Sequence, residues 1–200
     1  MWVSYSTRLG EFDYALGSRL ARSRFFSLIN NKVHIFRTPY DRSIFIHDLT
    51  KKFPWPDNSV DTIYSSHTLE HLSRQQGLLF LRECHRVLAM NGLVRIIVPD
   101  LFAFVSLYVE GQIRADEFLE RLGVLCQSKS GSWLKRKLAP FIMFPHKCMY
   151  DTKSLVGIMT EIGFGVQPKK PLESDIPDII NIEIYERAQN SVIVEGTKKE

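Results

Sequence analysis

Hydrophobic and polar positions follow two different periods between residues 53 and 100. Residues 60–64 are rich in β-branched and aromatic side chains, which predicts a short strand. Between residues 69 and 90 apolar side chains recur at helical spacing, which predicts a helix that stops at Asn91-Gly92. Residues 93–98 are almost continuously apolar, as in a strand covered on both faces. This order predicts a βαβ unit of a doubly wound sheet.

Weaker patterns organise the rest of the chain. The predicted helices cover residues 12–30, 101–110, 115–125 and 152–162. Asp151 is expected to cap the start of the last helix, and Gly163 its end. The predicted short strands cover residues 32–36, 43–47, 165–168, 179–185 and 191–196. Six residues separate the first two strands, too few for a parallel crossover, so together they would form a hairpin or an irregular pair. Because an unpaired buried sheet edge is costly, we expect one of them to pair directly with residues 60–64.

Composition narrows the class of protein. The 200 residues suit a single domain with its own core, spanning residues 1–200. No apolar run is long enough to cross a bilayer, and the first residues lack a secretion signal, so a cytoplasmic protein is expected. Its three cysteines, Cys84, Cys126 and Cys148, have neither zinc-site spacing nor a disulfide pattern.

The net charge of +4 is unevenly distributed, and the basic clusters have two possible interpretations. Basic residues that gather near residues 19–24 and 129–137 form either a solvated surface or a face that docks on nucleic acid or membrane. No RNA-binding aromatic motif or helix-turn-helix pattern accompanies them, so nucleic acid is an unlikely partner.

Polar residues follow the two central strands at the edge where such sheets bind ligands. Ser65, Ser66 and His67 come directly after the strand at residues 60–64, and Pro99-Asp100 follow the strand at residues 93–98. His67 is a candidate general base, and its alternative role is that of a helix cap. His67 and His71 share a helical face, but no third ligand lies near in sequence, so no metal site is predicted.

Several of these segments together resemble the second half of a class I S-adenosylmethionine (SAM)-dependent methyltransferase of the type 11 kind. The resemblance rests on Asp48 before FPWPDNSVD, on SSHTLEHL, on the RVL…NG helix end and on LVRIIVPDL. It continues through HKCMYDTKSLVGIMTEIGF to the closing SVIVEG. It implies a three-layer α/β, Rossmann-like fold with a mostly parallel sheet, and SAM as the cofactor.

The resemblance also implies roles for individual residues. Asp48, Leu49, Ser65, Ser66 and His67 would bind the cofactor, with Asp48 near the adenine amino group. The alternative for Asp48 is a turn cap. Methyl transfer needs little beyond alignment and one base near the acceptor. His67 and His146 are the two catalytic candidates.

The glycine pattern departs from that family. Its members open with a strand and a GxGxG turn, whereas only Gly10 and Gly17 precede Asp48 here, and the one GxG lies at Gly163-Phe164-Gly165. The fold is therefore expected to be N-terminally reduced, with an atypical segment at residues 1–42. Without the glycine turn a Cβ intrudes on the methionyl group, which predicts weak SAM binding.

Two functional hypotheses follow. The first is a SAM-dependent methyltransferase acting on a small-molecule or glycan-like acceptor. The second is a methyltransferase-like binding or assembly module that no longer binds SAM. Either could involve a partner protein or a second copy of the chain. Residues 101–150 are predicted to form a helical insertion or lid. Within it, residues 133–144 could be a lid over the site or a surface-seeking segment, but a structured insertion that packs on the domain is favoured.

Overall fold

The computed structural model describes residues 47–124 and 145–199. Residues 49–124 and 145–199 belong to one compact unit, and His47 and Asp48 belong to a second. The predicted helix at residues 12–30, the predicted strand at residues 32–36, the predicted strand at residues 43–47 except His47, the atypical segment 1–42 and the segment 133–144 lie outside the described residues. In the described part of the chain, no helix is both long and apolar enough to cross a bilayer.

Four strands and five α-helices make up the compact unit within these residues. The strands are β1 (Val60–Ser66), β2 (Leu88–Pro99), β3 (Phe164–Pro168) and β4 (Ser191–Lys198). The helices are α1 (Arg74–Val87), α2 (Leu101–Val109), α3 (Ala115–Arg121), α4 (Thr152–Ile162) and α5 (Tyr185–Ala188). Two 3-10 turns, Leu69–His71 and Ile179–Asn181, precede α1 and α5.

The strands form one mixed sheet in the order β1-β2-β4-β3. β1 and β2 are parallel, with Ile63 opposite Val94 and Ser65 opposite Ile96, and α1 makes the crossover between them. β4 runs antiparallel to both of its neighbours. The predicted α/β, Rossmann-like class is confirmed, and so is the placement of β1, β2 and β4 in one sheet.

Both faces of the sheet are covered. A large core on one face packs α1 and α4 against the strands, with Leu81, Val94 and Leu155 almost completely buried. A smaller core on the other face joins Ile97 and Ile193 to residues of the β3–β4 connection. Alternating side chains of β2 and β4 supply the two cores, which accounts for the almost uninterrupted apolar character of these strands.

Helix α1 begins at a capping box. The Ser73 hydroxyl accepts a hydrogen bond from the Gln76 backbone N–H, and the Gln76 side chain accepts one from the Ser73 N–H. The helix ends at Val87, three residues before the predicted end at Met90. The predicted stop at Asn91-Gly92 is wrong, because these residues lie within β2.

Gly92 lies where the backbone of β2 passes close to the backbone of β1. A Cβ built on Gly92 would lie 2.8 Å from the Ala89 carbonyl oxygen and 3.0 Å from the Asp61 carbonyl oxygen. The register between β1 and β2 shifts at this point, since Val60 pairs with Leu88 but Thr62 pairs with Leu93. Glycine therefore allows an irregular stretch of β2 to pass beside β1.

Helix α4 has the predicted boundaries. The Asp151 carboxylate accepts the Ser154 backbone N–H at 2.7 Å, which closes a second capping box. These hydrogen bonds from Ser154 hold the pKa of Asp151 below its usual value. Gly163 ends the helix with a φ of 114°, a left-handed conformation that favours glycine.

The predicted strand at residues 179–185 is wrong. This segment forms the 3-10 turn Ile179–Asn181 and ends at Tyr185, the first residue of α5. Both edges of β4 are already paired, by β2 and β3, so this connection has no edge of β4 to join. It crosses the face of the sheet instead, with Ile179 packed in the smaller core.

A buried guanidinium fixes this connection to the sheet. Arg95 of β2 has no exposed surface, and its five N–H groups make five hydrogen bonds. Nε and Nη2 donate to the Glu183 carboxylate at 2.7 and 2.9 Å, and Nη1 donates to Glu195 at 2.8 Å. The remaining two bonds reach the carbonyl oxygens of Lys170 and Glu173.

We expect Arg95→Met to lower the free energy of unfolding by about 3–5 kcal/mol, because it leaves two buried carboxylates without their cation. Urea unfolding followed by circular dichroism measures the change. Arg121→Met is the matched control, since Arg121 pairs with Glu117 at an exposed position and should change stability by no more than about 0.5 kcal/mol. Equal effects of the two substitutions would contradict this assignment.

Candidate functional site

The predicted ligand-binding residues at the carboxyl end of β1 lie on opposite faces of the sheet and differ in burial. Ser65 and Ser66 are the last two residues of β1, so their side chains leave opposite faces of the sheet. Ser65 is buried, whereas Ser66 is partly exposed. His67 follows with a φ of 50°, and this left-handed residue turns the chain into the 3-10 turn Leu69–His71.

A small apolar cavity, partly open to solvent, lies beside β1. Aromatic and aliphatic side chains form most of its wall, and two hydroxyl groups interrupt them. The lining residues are Leu49, Phe53, Trp55, Val60, Ile63, Tyr64, Ser65, Thr68, Phe80 and Val87.

The two hydroxyl groups differ in their partners. Thr68 Oγ1 donates to the Ser66 carbonyl oxygen at 3.3 Å. Ser65 Oγ is buried and has no hydrogen-bond partner among the described residues. A buried hydroxyl without a partner costs free energy, so its position in a cavity wall marks it as a group that can bond a ligand.

The aromatic wall is held in place by Arg86 of α1. Its guanidinium donates to the carbonyl oxygens of Phe53 and Trp55 at 3.1 Å each, and to the Glu83 carboxylate. Glu83 in turn accepts the Phe53 backbone N–H at 2.7 Å, and the Arg86 hydrogen bond holds the pKa of Glu83 below its usual value. Phe53 then packs edge-on against Trp55, with ring centroids 5.7 Å apart.

A buried carboxylate surrounded by imidazoles lies just beyond the cavity wall. Glu70 is 1% exposed and belongs to the 3-10 turn that follows Thr68. Its Oε1 lies 3.3 Å from His67 Nδ1 and 3.9 Å from His71 Nε2. The ligand atoms of Glu70, His71 and His146 all lie within 4.8 Å of one another.

The three imidazoles differ in their partners and in their orientation. The Glu70 carboxylate beside His67 raises the pKa of His67, whose Nε2 is 2.9 Å from the Arg187 carbonyl oxygen. Burial lowers the pKa of His71, which favours the neutral ring. His146 Nδ1 is 2.7 Å from the Leu122 carbonyl oxygen, so Nδ1 is the donor and the lone pair of the neutral ring lies on Nε2.

The predicted site residues thus fall into two groups. Leu49 and Ser65 meet in the cavity, while His67 and His146 both approach Glu70. Ser66 and His67 do not line the cavity, and Asp48 is exposed and belongs to the second compact unit. Glu70 is not among the site residues predicted from the sequence. Its position next to His71 is evident from the sequence, but its proximity to His146, 76 positions along the chain, is not.

Comparison with known proteins agrees with the resemblance. Residues 26–96 match the family model described as the methyltransferase domain. This part of the chain is similar to a class I methyltransferase of the type 11 kind. The predicted resemblance is confirmed in this part of the chain, and the family uses SAM. No curated protein sequence matches the chain.

Solved structures of several methyltransferases are similar to the chain at low identity. A putative methyltransferase from Haloferax volcanii, solved with the Trm112 methyltransferase activator, is 15% identical over 95% of this chain and 80% of its own, with a TM-score of 0.47. A possible histamine N-methyltransferase from Thermotoga maritima is 19% identical over 88% and 70%, with a TM-score of 0.43. The methyltransferase SibL is 14% identical over 78% of this chain but 35% of its own length, with a TM-score of 0.43.

We expect Ser65→Ala to leave the free energy of unfolding unchanged or to raise it by up to about 1 kcal/mol, because it removes a buried hydroxyl that has no partner. Thr68→Val is the matched comparison, since it removes a hydroxyl that does donate a hydrogen bond and should cost about 0.5–1.5 kcal/mol. Urea unfolding measures both. A Ser65→Ala loss as large as that of Thr68→Val would show that Ser65 stabilises the fold.

Proposed function

We propose that the chain is a SAM-dependent methyltransferase that binds the adenosine part of SAM in the apolar cavity and acts on a small-molecule or glycan-like acceptor. The observation that carries the proposal is Ser65 Oγ, a buried polar atom without a partner in the wall of an otherwise apolar cavity. The match of residues 26–96 to the methyltransferase domain supports the reaction class.

The cavity suits part of the cofactor. Flat aromatic and aliphatic walls from Phe53, Trp55 and Leu49 fit a purine ring, and the Ser65 hydroxyl offers it one hydrogen bond. Among the described residues, those that line the cavity include no carboxylate for ribose hydroxyls and no charged group for the methionyl end. The cavity is therefore better suited to bind the adenine ring than the ribose or the methionyl part of SAM.

Bound SAM supplies an activated methyl group, so the protein has to align the acceptor and accept one proton. We propose that His67 and His146 remain the residues on the acceptor side, next to Glu70. His67 is oriented by Glu70 and by the Arg187 carbonyl oxygen, and His146 by the Leu122 carbonyl oxygen.

The alternative function is a methyltransferase-like binding module without turnover. The absence of a GxGxG turn before Asp48 favours it, because the backbone then lacks a position for close approach to the methionyl group. A partner protein or a second copy of the chain could complete the site in either case. Free Cys84 and Cys148 are consistent with our proposal of a cytoplasmic setting.

We expect S-adenosylhomocysteine and SAM to bind the isolated chain weakly, with dissociation constants above the low-micromolar range. Calorimetric titration at high ligand concentration measures this affinity. Ser65→Ala should weaken binding about 5–10-fold, the equivalent of one hydrogen bond. Ser66→Ala is the control, since Ser66 leaves the opposite face of β1 and lines no part of the cavity.

Equal losses in the two variants would argue against the cavity as the adenosine site. Low-micromolar binding by the unmodified chain would refute the expected weakness and would strengthen the assignment as an active methyltransferase. An absence of binding at millimolar ligand would favour the non-catalytic module.

A further inference from the structure

The Glu70 carboxylate has the burial and the neighbours of a metal ligand. It is 1% exposed, and the ligand atoms of His71 and His146 gather with it inside 4.8 Å. Neither carboxylate oxygen makes a hydrogen bond of good geometry within the described residues, although His67 Nδ1 approaches Oε1 at 3.3 Å. Buried carboxylates are normally fully hydrogen-bonded or bound to a cation.

One imidazole of the cluster, that of His146, is held as a metal site requires. His146 Nδ1 donates to the Leu122 carbonyl oxygen at 2.7 Å, and this contact directs the Nε2 lone pair away from the backbone. The His146 backbone N–H also donates to the Gly123 carbonyl oxygen at 2.9 Å. A Cβ on Gly123 would lie 2.9 Å from the His146 ring, so glycine at this position permits the docking.

We propose that Glu70, His71 and His146 bind a divalent transition-metal ion, with Zn²⁺ as the best match to two imidazoles and one carboxylate. Zinc bonds to these groups at about 2.0–2.2 Å, which places the ligand atoms of a tetrahedral site about 3.3 Å apart. His71 Nε2 and Glu70 Oε1 are 3.9 Å apart, so small side-chain rotations bring them into range. Three protein ligands leave one position for a water or a ligand oxygen.

His67 is a positioning residue in this site. Its Nε2 donates to the Arg187 carbonyl oxygen at 2.9 Å, and its Nδ1 faces Glu70 Oε1. It therefore orients the carboxylate from outside the ligand set, as outer-shell partners of metal ligands do. The sequence spacing of His67 and His71 suggests a pair of ligands, but the structure favours Glu70 and His146 as the companions of His71.

The test is a titration of untagged, metal-free protein with ZnCl₂ by isothermal calorimetry. We expect one saturable site per chain and a rise in the thermal unfolding midpoint on zinc addition. Co²⁺ should bind at the same site with visible absorption bands of a four- or five-coordinate ion, and Zn²⁺ should displace it. These readouts involve neither SAM nor methyl transfer, so their failure is distinct from failure of the proposed function.

Variants separate the site from adventitious binding. Loss of a residue that only orients a metal ligand typically weakens metal binding by about 10–100-fold, and we expect a loss in this range for His67→Asn. Loss of a ligand should weaken Zn²⁺ binding further, as tested by Glu70→Gln, His71→Asn and His146→Asn. His85→Asn is the matched control, because His85 packs on Phe164 with ring centroids 4.9 Å apart and takes no part in the cluster. Cys148→Ser tests for capture by a nearby thiol and should bind normally.

Circular dichroism establishes that each variant is folded before it is titrated. If Glu70→Gln does not fold, the two histidine variants carry the test. Zinc binding that is absent from the unmodified chain would overturn the proposal. So would binding that persists equally in His71→Asn and His146→Asn, or that is lost to the same extent in His85→Asn.

Discussion

The buried Arg95 guanidinium is the constraint on which the second face of this sheet depends. A charged group with no exposed surface is tolerated only when its N–H groups are bonded and its charge is balanced. Glu183 and Glu195 supply the balance, and the carbonyl oxygens of Lys170 and Glu173 complete the bonds. The connection between β3 and β4 must therefore lie across the sheet.

This constraint extends to the candidate site through a short series of contacts. Glu183 lies just before α5, and the carbonyl oxygen of Arg187 within α5 accepts the His67 ring N–H. His67 faces Glu70, which stands beside His71 and His146. The polar network under the sheet thus helps to set the position of the histidine cluster, while α1 and Arg86 independently hold the wall of the apolar cavity.

Local signals in the sequence predicted the elements whose ends are locally determined. Asp151 and Gly163 bound α4 as expected, and the apolar runs of β1 and β2 gave the parallel pair. The strand predicted at residues 179–185 is wrong because the apolar side chains of this segment pack on a sheet face. Its Glu183 accepts hydrogen bonds from Arg95, which lies 88 positions earlier in the chain. Long-range pairing of this kind leaves no local pattern, and the same reason hid the meeting of Glu70 with His146.

The proposed function depends on an adenosine site in the apolar cavity beside β1, adjacent to the Glu70 cluster. A crystal structure of the chain grown with a saturating concentration of S-adenosylhomocysteine tests this most directly. We expect the adenine ring between Trp55 and Leu49, with a ring nitrogen or amino group within hydrogen-bonding distance of Ser65 Oγ. Ligand density on another surface, with this cavity closed or filled by side chains of the chain itself, would contradict it.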